Sequence, residues 1–169
     1  MLSAEIAHKT DVGGVVLKVA DGAALIAAIR SIRSAVAERA PGKRIERVLV
    51  QQMVSGLGEA LIGYRVDRDV GPIVLVAAGG VLTEIAHDRA LRLAPVDLAT
   101  AREMVAEVRG LVPLAGYRGK PKGDLDALAQ AIVSLSRLAE DPSIAEAEIN
   151  PLIVMQTGVV AVDALVKLA

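Results

Sequence analysis

Two apolar runs near the C-terminus carry a carboxamide and a carboxylate: Glu148-Ile149-Asn150-Pro151-Leu152 and Gly158-Val159-Val160-Ala161-Val162-Asp163. If Gln156-Thr157-Gly158 closes a turn between them, the runs pair as a hairpin. Asn150 and Asp163 then lie at nearby points on adjacent strands. Both side chains offer oxygen donors, the kind that hard ions such as magnesium prefer. Such a hairpin suggests a magnesium–nucleotide site. Asn and Asp are also common turn formers, so spacing alone leaves a plain surface hairpin open.

Four other places can carry chemistry. In His8-Lys9-Thr10-Asp11-Val12-Gly13-Gly14, paired glycines let backbone N–H groups approach an anion, and Lys9 can neutralise phosphate charge. His8 can act as a base or accept a phosphoryl group on nitrogen. The competing reading is a polar turn whose glycines only permit positive φ. Gln51-Gln52-Met53 ends an apolar run and can offer backbone groups to a purine edge, or simply be the polar exit of a buried strand. Glu59 heads the next run, where its carboxylate faces either a cleft or solvent. Gly79-Gly80 can admit a ligand, and Glu84, Asp88 and Arg92 can form a charge cluster beyond it. A turn with a surface salt bridge explains the same residues. His87 reads as a surface turn histidine, and two distant histidines without cysteine argue against zinc. Neither a P-loop nor a G-x-G-x-x-G is present.

These residues need elements to hold them. Residues 14–19 form a short β-branched run, and Asp21 can cap a helix to about Arg39 with Leu25, Ile29, Ile32 and Val36 as its stripe. Pro41-Gly42 ends it. Strand-like runs follow at 48–53, 60–66, 73–77, 81–85 and 90–93, with turns at 55–58 and 67–72. Asp97 begins a helix toward Val108, and Asp124 caps another to about Ala139. Strands that follow one another through short turns predict an α+β fold, a mostly antiparallel sheet flanked by helices. Residues 110–123 read as an ordered connecting loop or a flexible lid. No linker divides the chain, so one domain over 1–169 is expected.

Composition narrows the setting. Of 169 residues 53% are hydrophobic, yet Tyr64 and Tyr117 are the only aromatics. The core must therefore be Val, Leu, Ile and Ala, and stacking platforms for single-stranded nucleic acid or sugars are missing. A net charge of −1 with scattered basic residues leaves no footprint for DNA or RNA. The absence of Cys excludes disulfides and thiolate chemistry and fits a cytoplasmic protein. No apolar run reaches membrane-spanning length, and residues 1–10 do not form a secretory signal.

Seven segments occur in a telling order: His8-Lys9-Thr10-Asp11-Val12-Gly13-Gly14-Val15, Val48-Leu49-Val50-Gln51, Gly71-Pro72, Gly79-Gly80-Val81, Arg92-Leu93-Ala94-Pro95, Gly116-Tyr117-Arg118-Gly119 and Glu148-Ile149-Asn150-Pro151-Leu152. Together they resemble the ATP-grasp domain of NDP-forming acyl-CoA synthetases, of the ADP-forming acetate–CoA ligase β-subunit type. Succinyl-CoA synthetase β chains are more distant relatives. The resemblance covers essentially the whole chain, and the order rather than any single motif makes it specific.

The resemblance implies an ATP-grasp fold and a phosphoryl relay. An acid, CoA and ATP become acyl-CoA, ADP and phosphate through an acyl phosphate and a phosphohistidine, and the ATP-grasp domain exchanges the phosphoryl group between histidine and ADP. Asn150 and Asp163 match the magnesium-holding residues, and Gln51, Gln52 and Met53 match the adenine-side hinge, with an amide where an acid is common. Glu59, Gly79, Gly80 and Arg92 match the cleft wall, Lys9, Gly13 and Gly14 the phosphate side, and His8 a second phosphoryl carrier. ATP/ADP and Mg2+ are the implied cofactors. The implied partner is the CoA-binding, catalytic-histidine domain or subunit, with a homo-oligomer also expected from an incomplete sheet edge near Gly14. The family's domain continues before the histidine motif through a strand ending in a phosphate-contacting lysine. The expectation is therefore an N-terminally truncated domain that does not turn over alone. The alternative is a non-catalytic remnant that binds a partner or senses nucleotide.

Overall fold

The protein is described by a computed structural model covering residues 1, 5–6, 9–80 and 88–169. It divides into two compact units, Met1–Met53 and Val54–Ala169.

The first unit is built on α1 (Gly22–Arg39). Asp21 caps it, its carboxylate accepting from Ala24 N at 2.8 Å, and the chain turns away at Gly42 with φ +85. Ile32 and Val36 are buried with Met1 and Ile6, and Val12, Ala40, Ile45 and Val48 pack against that cluster. Leu25 and Ile29, the other members of the expected stripe, are half-buried, while Ala28 is buried. The two strands expected here, 14–19 and 48–53, do not form. Both stretches lie outside any strand. Lys18 at φ 58 breaks the first, and β-branched composition becomes a strand only where a ladder partner is at hand.

The second unit is an antiparallel sheet with helices on one face. Its strands are β1 (Gly58–Asp67), β2 (Gly71–Ala78), β3 (Arg89–Leu93), β4 (Ile144–Val154), β5 (Val159–Ala161) and β6 (Ala164–Leu168). They order as β3-β2-β1-β4-β5, and β6 follows β5 along the same edge of β4. The expected run at 81–85 lies outside the described residues. The sequence reading stopped at Asp163 and so missed β6.

Two helices, α2 (Leu98–Glu107) and α3 (Leu125–Ser136), start at the expected caps Asp97 and Asp124. Short 3₁₀-helical stretches follow each of them, Arg109–Ala115 and Arg137–Glu140. Period-two alternation aims Ala60 and Ile62 of β1, Val74 and Val76 of β2, and Leu152 and Val154 of β4 at one face. There they bury against Met104, Val105 and Val108, against Leu111 and Leu114, and against Leu128 and Ile132. The core is aliphatic apart from methionine, as the composition required. Ser136 is the buried polar side chain of this core: its hydroxyl donates to Val133 O at 2.8 Å and accepts from Val96 N at 3.1 Å. It thereby ties the end of α3 to the segment leading into α2.

Candidate functional site: an oxygen-donor cluster at a bulge in the sheet

The C-terminal hairpin forms, and its irregularity is what makes a site. Ile62 of β1 lies opposite Ile149, and Ala60 opposite Leu152. Leu61 alone therefore faces two residues, Asn150 and Pro151, which makes them a β-bulge joined by a cis peptide. On the other side, Asn150 N donates to Asp163 O and Val162 N to Pro151 O, both at 3.1 Å. Asn150 and Asp163 are thus direct backbone neighbours in the gap between β5 and β6. Ala164 N donates to Asp163 Oδ1 at 3.1 Å, and Asn150 Nδ2 donates to Glu148 Oε1 at 3.3 Å.

Glu148 adds a donor that the motif reading quoted but did not single out. The signal was present in the sequence: residues two apart on a strand share a face. Asn150 and Asp163 are exposed, Glu148 half so. Among the described residues no group of three His, Cys, Asp or Glu could hold a metal ion. A carboxamide and carboxylates together suit a hard cation such as magnesium and not a soft one.

The hairpin is fixed from below by Asp124. One carboxylate oxygen caps α3 through Ala127 N at 2.9 Å, and the other accepts from Gly158 N in the turn at 2.8 Å. The Gly158 bond first, then the Ala127 bond, and last the Lys122 charge hold this carboxyl below the usual aspartate range. A depressed carboxyl stabilises the fold above its unfolded pKa, near 3.8, and the benefit disappears as pH falls through the lower folded value. Asp124→Ala is therefore expected to lower Tm by about 2–4 °C at pH 7, the usual scale for a lost cap in a chain of this size. The gap to the wild type should close in thermal scans below the ordinary aspartate pKa. A gap that persists unchanged there would contradict this assignment.

Glu59 and Arg92 do not share a face. Ala60 pairs with Ala78, Val76 with Ala90, and Val74 with Arg92, so Arg92 stands on the helix-covered side with Ala60, and Glu59 on the other. Arg92 pairs with Glu107 of α2 and donates to Leu91 O at 2.8 Å. The Glu107 partner raises the Arg92 pKa above its already high value. Of the expected cluster of Glu84, Asp88 and Arg92, the pairing of Asp88 with Arg92 is corrected accordingly. Asp88 instead caps the stretch after α2, accepting from Arg109 N at 3.0 Å and Gly110 N at 2.6 Å. Free backbone amides at a helix start outcompete a guanidinium that the strand register turns away. Glu84 and His87 lie outside the described residues.

The two glycines expected to admit a ligand divide their work. A Cβ on Gly79 would sit 2.5 Å from the Cβ of Glu59, whose carbonyl accepts from Gly79 N at 2.7 Å. Gly80 has φ +101, and among the described residues nothing lies within 4 Å of where its Cβ would be.

In the first unit, Gly13 has φ +70 and its Cβ would meet Ala35 of α1 at 2.8 Å, while Gly14 N donates to Lys9 O at 2.7 Å. The turn's own packing accounts for both glycines. Gln51, Gln52 and Met53 are exposed and lie outside any helix or strand. His8 lies outside the described residues.

The ATP-grasp domain family matches residues 1–168. The chain belongs to this family. ATP-grasp relatives include acetate–CoA ligase (ADP-forming) I of Archaeoglobus fulgidus, 40% identical over 96% of this chain and 24% of that protein. The β subunit of acetate–CoA ligase (ADP-forming) I from Pyrococcus furiosus is 33% identical over 97% of this chain and 71% of its own length. The dinucleotide-forming acetyl-coenzyme A synthetase 1 of Ca. Korarchaeum cryptofilum, solved with coenzyme A and Ca-AMPCP, superposes with a TM-score of 0.92 at 33% identity, over 99% of this chain and 73% of that one. A second state of it, with Mg-AMPPCP and its phosphohistidine segment pointing towards the nucleotide site, superposes at 0.82 and 30% identity, over 100% and 74%. The chain thus spans about a quarter of the Archaeoglobus ligase and roughly seven-tenths of the Pyrococcus subunit. These matches carry the antiparallel, helix-flanked fold read from the sequence. No helix of the described residues is long and apolar enough to cross a membrane.

Proposed function

We propose that this chain is the nucleotide-handling part of an ADP-forming acyl-CoA synthetase. In the direction of ligation the terminal phosphoryl group of ATP passes to a histidine nitrogen, leaving ADP. That group then moves to the acid's carboxylate, and CoA thiol displaces it as phosphate to give the acyl-CoA. Asn150 and Asp163 would hold magnesium, whose charge neutralises the phosphates and the charge that develops during transfer. This chain's own task is positioning: the bulge aims oxygen donors outward from the sheet, and Asp124 holds the hairpin that carries them. His8, Lys9, Gly13 and Gly14 would serve the phosphate side, Gln51, Gln52 and Met53 the base, and Glu59, Gly79 and Gly80 the wall.

The observation that carries the reading is the direct pairing of Asn150 with Asp163 across the bulge. Its test is calorimetric titration with ADP, with and without magnesium. Magnesium-dependent binding is the expected result, and none at millimolar ADP would defeat the proposal. A second reading, a non-catalytic family member, draws on two features. Arg92, assigned to the cleft wall, is engaged with Glu107 on the covered face, and Gln52 is an amide where an acid is common.

The CoA-binding and histidine-bearing functions belong, on this proposal, to a partner domain or subunit. The first unit is suited to an association of that kind. Val15, Leu17, Leu49, Val50 and Met53 are exposed on its two stretches outside any helix or strand, which flank one small core. Apolar, unladdered backbone of this sort recruits strands. The chain is expected to associate with itself or with another subunit. A mass that stays monomeric across a hundredfold concentration range, with no partner co-purifying, would count against it.

A further inference from the structure

Residues 115–122, Ala-Gly-Tyr-Arg-Gly-Lys-Pro-Lys, carry three cations and no carboxylate in a chain whose net charge is −1. The loop is pinched at its base, where Gly123 N donates to Leu114 O at 2.8 Å. Leu114 is buried, and a Cβ on Gly123 would lie 2.9 Å from Val154 Cγ1, so the base is packed. Arg118, Lys120 and Lys122 are all exposed. Lys120 and Lys122 form no ion pair among the described residues. Asp124, the carboxylate that feels the Lys122 charge, already spends its oxygens on the amides of Gly158 and Ala127.

The backbone adds a second, independent sign. Gly116 and Gly119 take positive φ at no cost, but Arg118 between them does too, at φ 52 and ψ 44. A side chain in the left-handed region is unfavourable where glycine would be free, and such outliers concentrate at ligand-handling positions. Position also matters. A Cβ on Gly58 would strike Leu114 at 2.7 Å, so the loop base lies against the start of β1, one residue before Glu59, at the end of the sheet where Gly79 meets it.

We propose that this loop docks a phosphoryl group. A guanidinium with two ammonium groups matches a multiply charged, multidentate oxyanion better than a single carboxylate. The source is either the nucleotide or a phosphorylated histidine segment of a partner. Only this choice of sources rests on the function proposed above; the loop's charge and conformation do not.

The test is calorimetry of the whole chain without magnesium, titrated with phosphoramidate, with ADP and with acetate. Arg118→Gly removes the cation and relieves the backbone, so its Tm should equal or exceed that of the wild type. Its affinity for a phosphoryl probe should fall by about tenfold, as should that of a Lys120→Gln/Lys122→Gln variant. A fall for phosphoramidate alone would identify a phosphorylated segment as the source; a fall for ADP as well would identify the nucleotide. Binding of both probes within about twofold of wild type would overturn the proposal, as would wild-type binding of neither probe or an equal loss for acetate. Because magnesium is absent, the result is separable from failure of the Asn150–Asp163 site.

Discussion

Asp163→Asn is expected to weaken magnesium-dependent ADP binding by at least about a hundredfold while leaving Tm nearly unchanged. The two halves of that result have separate causes. An asparagine keeps the Oδ1 acceptor that Ala164 N uses at 3.1 Å, and the backbone carbonyl that receives Asn150 N is untouched. The residue is exposed, and isosteric surface changes usually shift stability by no more than about 0.5 kcal/mol. What asparagine removes is the formal charge, which hard cations reward most. Loss of an outer-shell partner already costs about 10–100-fold in metal affinity, so loss of a charged ligand should cost more. Equal affinity in variant and wild type would mean that Asp163 holds no ion. A large drop in Tm would mean that its role is architectural.

The geometry of the candidate site was legible where it rides on short-range pattern, and illegible where it depends on register or on a partner. Asn150 and Asp163 could be placed near each other because a glycine turn between two apolar runs fixes a hairpin, and that hairpin formed. Asp21, Asp97 and Asp124 could be placed at helix starts for an equally local reason. The bulge opposite Leu61 could not be read, because it is a mismatch between strands far apart in sequence. Arg92 was misjudged for the same reason: Glu84, Asp88 and Arg92 are close along the chain, but strand alternation turns Arg92 to Glu107. Residues 14–19 and 48–53 have strand composition and no strand, so composition is not sufficient without a ladder partner. Asp88 as the cap of Arg109 and Gly110 lay beyond reach, since nothing in the sequence near either end announces a contact spanning twenty-odd residues.

Gly79→Ala should destabilise the second unit by about 1–3 kcal/mol, the usual cost of forcing an atom into a packed site. In a chain of this size each kcal/mol corresponds to roughly 2–4 °C in Tm. The added methyl group would lie 2.5 Å from Glu59 Cβ and 2.8 Å from the Glu59 carbonyl carbon. The second of these is backbone, held by the Gly79 N–H bond and by the neighbouring Ala60–Ala78 pair, so it cannot swing aside as a flexible side chain would. Relief requires β1 and β2 to separate at the end that carries Glu59. Gly22→Ala is the matched control: among the described residues nothing lies within 4 Å of its Cβ position, and alanine at a helix start should leave Tm equal or higher. The comparison also decides between two uses of the Gly79-Gly80 pair. If Gly79 serves strand packing, its variant loses Tm and any loss of ADP affinity follows from the displaced Glu59. A Gly79→Ala chain with unchanged Tm and weakened ADP binding would return Gly79 to the ligand.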